Sequence, residues 1–192
     1  MLQLRPYQKE CIDTISALPP GAYLTQMATG LGKTVTFANI PRSGRELILS
    51  HREELVRQPQ KYYSCSYGIE RAGEHSHGED VVSASVQTMV RRLDNFRPDD
   101  FDIIVVDEAH HAAANTYRKI LDYFHPHLKL GFTATPNRGD KVRLNDVFER
   151  IVFSRDLRFG IKNGYLCDIY CLRVNIEYDL STVHSRNGDY AP

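Results

Sequence analysis

The sequence predicts an α/β domain with a mostly parallel central sheet, and three observations lead to that fold class. Short aliphatic segments alternate with segments of helical spacing along the 192-residue chain, as in proteins built from β-α units. The run 101–106, Phe-Asp-Ile-Ile-Val-Val, is nearly all apolar, as expected for a central strand covered on both faces. A Gly-Leu-Gly-Lys-Thr loop at 30–34 joins a predicted strand to a predicted helix, the setting of a phosphate-binding loop.

The predicted helices combine apolar residues at helical spacing with residues typical of helix ends. They span residues 6–18, 35–40, 52–63, 86–93, 116–124, 142–148 and 155–163. Pro6 lies in the first turn of the first helix, where proline is tolerated, and Gly164 closes the last helix.

The predicted strands are short runs dominated by aliphatic residues. They span residues 22–26, 46–50, 80–84, 101–106 and 127–133. The polar segment 64–79 predicts a loop or a short edge strand, and residues 166–178 are expected to be extended. Ligands of parallel sheets bind beyond the carboxyl ends of the strands. The residues that follow each strand are therefore the candidates for a functional site.

Composition and charge narrow the function classes. The chain has 24 Lys and Arg against 24 Asp and Glu, so any site for nucleic acid must be a local basic patch rather than a global field. No apolar run approaches the roughly 18 residues that a membrane-spanning helix needs, and the first residues lack the apolar core of a signal peptide. We therefore expect an intracellular, cytoplasmic protein with no membrane partner. The four cysteines form no Cys-x-x-Cys pair, which disfavours a zinc site or a disulfide.

The loop after the first strand has the residues of a phosphate cradle. Gly30 and Gly32 lack a Cβ, so the backbone can curl and direct its N–H groups inward. Lys33 can reach the outer phosphates, and the Thr34 hydroxyl can hold a magnesium ion. An ordinary glycine turn is the alternative, but the strand–loop–helix setting favours phosphate binding. One position departs from the general pattern, since Met27 stands where its first glycine should fall.

Two adjacent carboxylates follow the central strand. Asp107 can hold the magnesium ion, and Glu108 can orient or deprotonate an attacking water molecule. The alternative is a helix that begins with two favourable acidic residues. Their place behind an apolar strand, in a chain that also carries the phosphate loop, favours the catalytic interpretation.

Three segments taken together resemble the N-terminal motor domain of superfamily 2 helicases. They are Met-Ala-Thr-Gly-Leu-Gly-Lys-Thr at 27–34, Asp-Glu-Ala-His at 107–110 and Phe-Thr-Ala-Thr-Pro at 132–136. The resemblance is closest to the DEAD/DEAH-box branch that includes type III restriction subunits and XPB-like repair helicases, where Met or Ala commonly replaces the first glycine. It implies a three-layer RecA-like P-loop NTPase fold, with ATP and Mg²⁺ as cofactors. The implied nucleotide-binding loop consists of Thr29, Gly30, Leu31, Gly32, Lys33 and Thr34.

The same resemblance assigns further site residues. Residues 4–8 are similar to the adenine-recognition element, in which Gln8 would bond the adenine edge with Arg5 nearby; an amide offers the donor and acceptor that this edge requires. The alternative is an exposed glutamine at a helix start. His110, Thr133 and Thr135 would couple hydrolysis to movement between domains.

Residues 50–55 and 85–89 resemble the motifs that grip a nucleic-acid backbone. Arg52, Gln87 and Thr88 have suitable chemistry for phosphate oxygens. Such contacts would be independent of base sequence and sensitive to salt. Ordinary caps between strands and helices are the alternative.

The resemblance also implies a domain organisation. Residues 1–168 would form the N-terminal RecA-like helicase ATP-binding domain, and residues 169–192 would be a linker or the start of a second RecA-like domain that the chain lacks. That second domain would supply arginine fingers, which contribute about 10³ to 10⁵ in rate, so we expect the isolated domain to hydrolyse ATP slowly.

We therefore expect the ATP-binding half of a nucleic-acid-dependent motor. The branch favours DNA over RNA and a prokaryotic or phage origin. An ATP-gated nucleic-acid clamp that never unwinds, and the motor subunit of a restriction endonuclease, remain as alternatives. A small-molecule kinase is disfavoured by the Asp107-Glu108 pair and the Thr-Ala-Thr segment at 133–135.

Overall fold

The computed structural model describes residues 3–135, 144–171, 184–186 and 189–191. Within these residues a seven-stranded sheet has the order β3-β4-β2-β5-β6-β1-β7, and every pair of neighbours is parallel. Its strands are β1 (Gly21–Met27), β2 (Glu46–Ser50), β3 (Tyr67–Glu70), β4 (Val81–Ser85), β5 (Ile103–Asp107), β6 (Leu128–Thr133) and β7 (Arg150–Arg155). A separate antiparallel hairpin pairs β8 (His184–Arg186) with β9 (Asp189–Ala191). The α/β class with a parallel sheet is therefore confirmed.

Most of the described helices are shorter than the sequence predicts. The described helices are α1 (Pro6–Ser16), α2 (Lys33–Phe37), α3 (Glu53–Arg57), α4 (Val86–Met89), α5 (Asn115–Tyr123) and α6 (Leu157–Lys162). Helix α5 keeps its predicted length and is shifted by one residue. In the described part of the chain, 3₁₀ turns accompany the helices at Gln58–Tyr62, Leu93–Asn95, Ala109–His111 and Leu144–Asp146. The predicted helix 52–63 divides into α3 and a 3₁₀ turn where Pro59 follows, because proline has no N–H to continue the α-helical ladder.

The central strand β5 explains why the domain has two hydrophobic cores. All five of its residues are buried. Ile103 and Val105 pack into the core that contains α1 and α2, whereas Ile104 and Val106 pack into the core that contains α4 and α5. This alternation follows from the two-residue period of a strand. The sheet is thus covered by helices on both faces, as a three-layer fold requires.

Three segments differ from the sequence-based expectation. The strand β7 was not predicted, because an edge strand with Phe153 as its one buried side chain lacks a strong apolar pattern. The helix predicted to begin at residue 155 begins at Leu157 instead, after the Asp156 carboxylate accepts a bond from Phe159 N at 2.8 Å. In the predicted helix 142–148, residues 144–146 form only a 3₁₀ turn.

Other expectations fall partly outside the described residues. Positions 142–143 of that predicted helix and positions 172–178 of the predicted extended segment are among them. Residues 166–171 are described and have no regular secondary structure. Among the described helices, none is both long and apolar enough to cross a membrane.

A buried acid lies at the start of β2, at the edge of the sheet opposite the phosphate loop. Glu46 is 2% exposed, accepts a hydrogen bond from the Tyr63 hydroxyl at 2.8 Å and lies 3.6 Å from Arg42 Nη1. Burial raises its pKa from 4.5 to about 7, although Tyr63 and Arg42 act in the opposite direction. Between these two values the folded protein binds more protons than the unfolded chain, so the free energy of unfolding falls as pH rises.

Replacing this acid should flatten the pH dependence of stability. We expect Glu46→Gln to remove a slope that amounts to about 3 kcal/mol between pH 4.5 and 7, because glutamine does not titrate. Urea unfolding across this range measures the effect, with the exposed Glu54→Gln as the matched control. An unchanged slope in Glu46→Gln would contradict the assignment.

Candidate functional site

The first helix, α1, holds the loop between β1 and α2 in place by hydrogen bonds. Gly30 and Gly32 have φ angles of +85° and +82°, a region that favours glycine. Leu31 between them is fully buried. Its carbonyl oxygen accepts a bond from the Tyr7 hydroxyl at 2.8 Å and one from Gln8 Nε2 at 3.0 Å. The conformation of the loop therefore depends on α1.

Gln8 lies in a different environment from the exposed glutamine that was the alternative. It is 4% exposed, and its amide oxygen accepts a bond from Arg5 N at 2.9 Å. Its amide nitrogen donates to Leu31 O and would lie 2.5 Å from a Cβ at Gly32. Both halves of the amide thus join the helix start to the loop.

An aromatic cluster beside the loop was missed by the sequence analysis. The Tyr7 ring contacts Tyr165 and Phe159 edge-on, at centroid distances of 4.8 and 5.5 Å. The Arg5 guanidinium lies 5.2 Å from the centre of the Tyr165 ring and donates to the Tyr7 hydroxyl at 3.1 Å. Leu166 approaches Gly30, so closely that a Cβ there would lie 2.8 Å from its side chain. The sequence predicted a helix over residues 155–163 but gave no signal that residues 159–166 belong to a functional site.

At the carboxyl edge, five predicted residues from three separate segments form one chain of contacts. Lys33 Nζ lies 3.2 Å from Glu108 Oε1. The other oxygen of Glu108 lies 3.3 Å from His110 Nδ1, which in turn lies 3.2 Å from the Thr133 hydroxyl. That hydroxyl also accepts a bond from Thr135 N at 3.2 Å. The phosphate loop is thereby connected to the end of β6 through charged and polar side chains.

The backbone at Glu108 is itself unusual. Its φ of +53° is in the left-handed region, which costs a non-glycine residue about 1 kcal/mol or more. Such conformations concentrate at functional sites. Here the turn directs the Glu108 side chain to Lys33 rather than onward along the strand.

Asp107, the acid that precedes Glu108, is buried. It ends β5, is 3% exposed, and accepts a bond from Glu108 N at 3.0 Å. Burial, followed by the neighbouring Glu108 charge, raises its pKa to about 6, while Lys33 lowers it. An additional cation would stabilise the ionised carboxylate.

The donor set at this edge fits magnesium rather than a transition metal. The Asp107 carboxylate and the hydroxyl of Thr34, in the first turn of α2, are oxygen ligands of the kind that magnesium prefers. The described residues contain no group of three or more His, Cys, Asp or Glu side chains that could hold a metal by themselves. A cation here would therefore need ligands from phosphate and water, as is usual for magnesium.

The three residues predicted to contact nucleic acid lie beyond β2 and β4, which are neighbours in the sheet. Arg52 is exposed and immediately precedes α3. Gln87 Nε2 lies 3.5 Å from the carbonyl oxygen of His51. The Thr88 hydroxyl already has two partners in the same chain, since it accepts bonds from the Ser85 hydroxyl at 2.9 Å and from Ala72 N at 3.2 Å.

Comparisons with known proteins show which family the chain resembles. The family model described as type III restriction enzyme, res subunit, matches residues 1–138. The chain is 35% identical to the putative ATP-dependent helicase IRC3 of Saccharomyces cerevisiae, with 97% of this chain and 31% of that protein covered. It is 31% identical to the DNA 3'-5' translocase XPB2 of Sulfurisphaera tokodaii, with 72% of this chain and 32% of that protein covered. The chain thus spans about a third of the length of these relatives.

A solved structure shows the same fold. The helicase domain of Pyrococcus furiosus Hef superposes with a TM-score of 0.70 at 22% identity, over 88% of this chain and 41% of that one. The likeness confirms the predicted three-layer RecA-like α/β fold.

The loop geometry predicts the effect of one added methyl group. Position 32 has a left-handed backbone conformation, which costs a residue with a Cβ about 1–2 kcal/mol. Gly32→Ala also places the methyl group 2.5 Å from Gln8 Nε2. We expect the affinity for a fluorescent ATP analogue to fall at least about tenfold. Gly73→Ala is the matched control, because a Cβ at Gly73 meets no atom within 4 Å. A folded Gly32→Ala variant that binds the analogue normally would refute this role for the loop.

Proposed function

The chain belongs to the type III restriction enzyme res-subunit family and contains the N-terminal ATPase domain of a superfamily 2 helicase, and from that premise we propose that it is the ATP-binding half of a nucleic-acid-dependent motor. The observation that carries the proposal is the contact chain from Lys33 through Glu108 and His110 to Thr133. It connects a phosphate loop to two further strand ends. A simple nucleotide-binding module has no need of such a connection.

The Lys33–Glu108 ion pair suggests how ATP engages the site. The outer phosphates carry more negative charge than one carboxylate, so they attract Lys33 away from Glu108. Glu108, released from Lys33, then orients or deprotonates the attacking water. Asp107 and Thr34 would hold a magnesium ion, which would supply positive charge to neutralise the phosphates at this edge.

The remaining nucleotide contacts follow from the loop and from α1. Backbone N–H groups of the loop receive the phosphates; the loop residues are Thr29, Gly30, Leu31, Gly32, Lys33 and Thr34. Arg5 lies beside the aromatic cluster, where a flat base can stack. Gln8 links that region to the loop through Leu31, so base binding and loop position affect each other.

His110, Thr133 and Thr135 connect the water-orienting acid to the end of β6. A change in the charge around Glu108 alters the hydrogen bond between His110 and Thr133. We assign these residues to the coupling of hydrolysis with domain movement. The matched part of this chain covers only 31% and 32% of the two relatives, and a second RecA-like domain after residues 169–192 would complete the motor and supply its arginine fingers.

The nucleic-acid track is assigned to the same edge of the sheet. Arg52 and Gln87 follow β2 and β4, and β2 lies directly beside β5. The zero net charge of the chain leaves such a local surface as the place for a polyanion. DNA is the proposed substrate, since one relative is by name a DNA translocase. The family description also supports a second candidate, the motor subunit of a restriction enzyme.

Nucleic-acid stimulation of ATP hydrolysis tests the motor proposal. We expect the full-length protein to hydrolyse ATP faster with DNA than with RNA. Glu108→Gln should lower kcat by about 10² to 10⁴, the contribution of a general base, while nucleotide still binds. If single-stranded DNA, duplex DNA and RNA all leave turnover unchanged, the motor proposal is wrong.

A second substitution separates coupling from hydrolysis. Thr133→Val removes the hydroxyl that contacts His110 and keeps the shape of the side chain. We expect the stimulation by DNA to fall more than the basal rate does, because the contact chain is cut beyond Glu108. Thr25→Val removes a buried hydroxyl on β1, outside the contact chain, and serves as the control. Equal losses of basal and stimulated rates in Thr133→Val would argue against the coupling role.

A further inference from the structure

A tight turn after the edge strand β3 lies outside the nucleotide site. Arg71 and Glu74 exchange backbone hydrogen bonds of 3.2 and 2.7 Å. Between them Ala72 has a φ of +47°, a conformation that few non-glycine residues adopt. A strained turn of this kind persists only where its surroundings hold it in place.

Side chains from α4 and from the segment after it hold the turn on both sides. Thr88 accepts a hydrogen bond from Ala72 N at 3.2 Å, and the Arg92 guanidinium donates to the carbonyl oxygens of Ala72 and Glu74. Arg92 is itself fixed by an ion pair with the buried carboxylate of Glu70. The Thr88 hydroxyl, which the sequence assigned to nucleic acid, is therefore used to position the turn.

The outer side of the turn carries a charge network. The Arg71 guanidinium donates to both oxygens of Glu53, each at 2.7 Å. Arg57 lies 2.6 Å from Glu74 and 3.9 Å from Glu53. The side chains of Glu53, Arg57 and Glu74 are 53%, 48% and 43% exposed, and that of Arg71 is 27% exposed. Exposed ion pairs generally contribute little net free energy, and the Glu53 carboxylate of this network lies open to solvent.

A phosphodiester can take the place of Glu53. The planar guanidinium of Arg71 already makes the two parallel hydrogen bonds by which arginine binds either a carboxylate or a phosphate. Glu53 would keep Arg57 as a partner after the exchange. Glu53 and Glu74 would then share Arg57 as their common counter-charge.

The network lies where the proposed track would continue. The strand β3 pairs with β4, and β4 pairs with β2. Glu53 follows Arg52 directly, and Thr88 follows Gln87. We propose that Arg71 is a backbone-phosphate contact that Glu53 masks in the free protein, and that Thr88 acts by positioning the turn that presents it. This inference rests on the proposed nucleic-acid function.

The proposed contact between Arg71 and a backbone phosphate is tested by fluorescence anisotropy with the full-length protein. The ligands are labelled oligothymidylate and oligouridylate of one length, and binding is measured over a range of salt concentrations. Arg71→Gln should weaken binding about threefold to tenfold at low salt and reduce the salt slope by about 1. Glu53→Gln should tighten binding, and the double variant should behave like Arg71→Gln. Thr88→Val should weaken binding in the wild-type background and have little further effect beside Arg71→Gln, the non-additivity expected of residues that act together.

Arg97→Gln is the matched control, because it removes an exposed arginine from another ion pair: Arg97 Nε lies 3.0 Å from Asp100, in the segment before β5. It should leave both the affinity and the salt slope unchanged. Arg71→Lys, which keeps the charge and loses the two parallel bonds, should bind with intermediate affinity. Wild-type binding with an unchanged affinity and salt slope in Arg71→Gln would overturn the inference and leave the motor proposal standing. Failure of the wild-type protein to bind either oligonucleotide would overturn both.

Discussion

The ion pair between Lys33 and Glu108 is the interaction on which the organisation of the site depends. It joins the loop after β1 to the end of β5, two strands that are separated in the sheet by β6. Glu108 adopts a left-handed backbone conformation where its side chain reaches the loop, and His110 and Thr133 extend the connection to the strand in between. A nucleotide that competes for Lys33 therefore changes the environment of every group in the chain of contacts.

Burial determines where such a pair can form. The strands are covered on both faces, so charged side chains that could act on a ligand lie at the ends of the strands. At the carboxyl edge Asp107 is almost fully buried beside a second acid, which raises its pKa to about 6. The free energy lost by placing two acids together is offset by Lys33 and, in our proposal, by a magnesium ion. The same edge holds the turn at 71–74 with its exposed charges.

Much of the fold could be predicted because burial leaves a strong signal in the sequence. The strand β2 matches its predicted span, and β5 has the central place that its apolar run indicated. The strand β7 could not be predicted, since Phe153 is its one buried residue. Lys33, Glu108, His110 and Thr133, which the sequence places near separate strand ends, do form connected contacts. The hydrogen-bond partners of the other predicted residues depend on tertiary packing, which the sequence does not reveal. Thr88, for example, is occupied by a turn that follows a different strand.

A crystal structure of the protein with a non-hydrolysable ATP analogue and magnesium tests the central claim most directly. Our account predicts that Lys33 Nζ moves from Glu108 to the outer phosphates, while Glu108 keeps its contact with His110. It also predicts the magnesium ion beside Asp107 and Thr34. An analogue bound elsewhere, with Lys33 and Glu108 still 3.2 Å apart, would contradict the account.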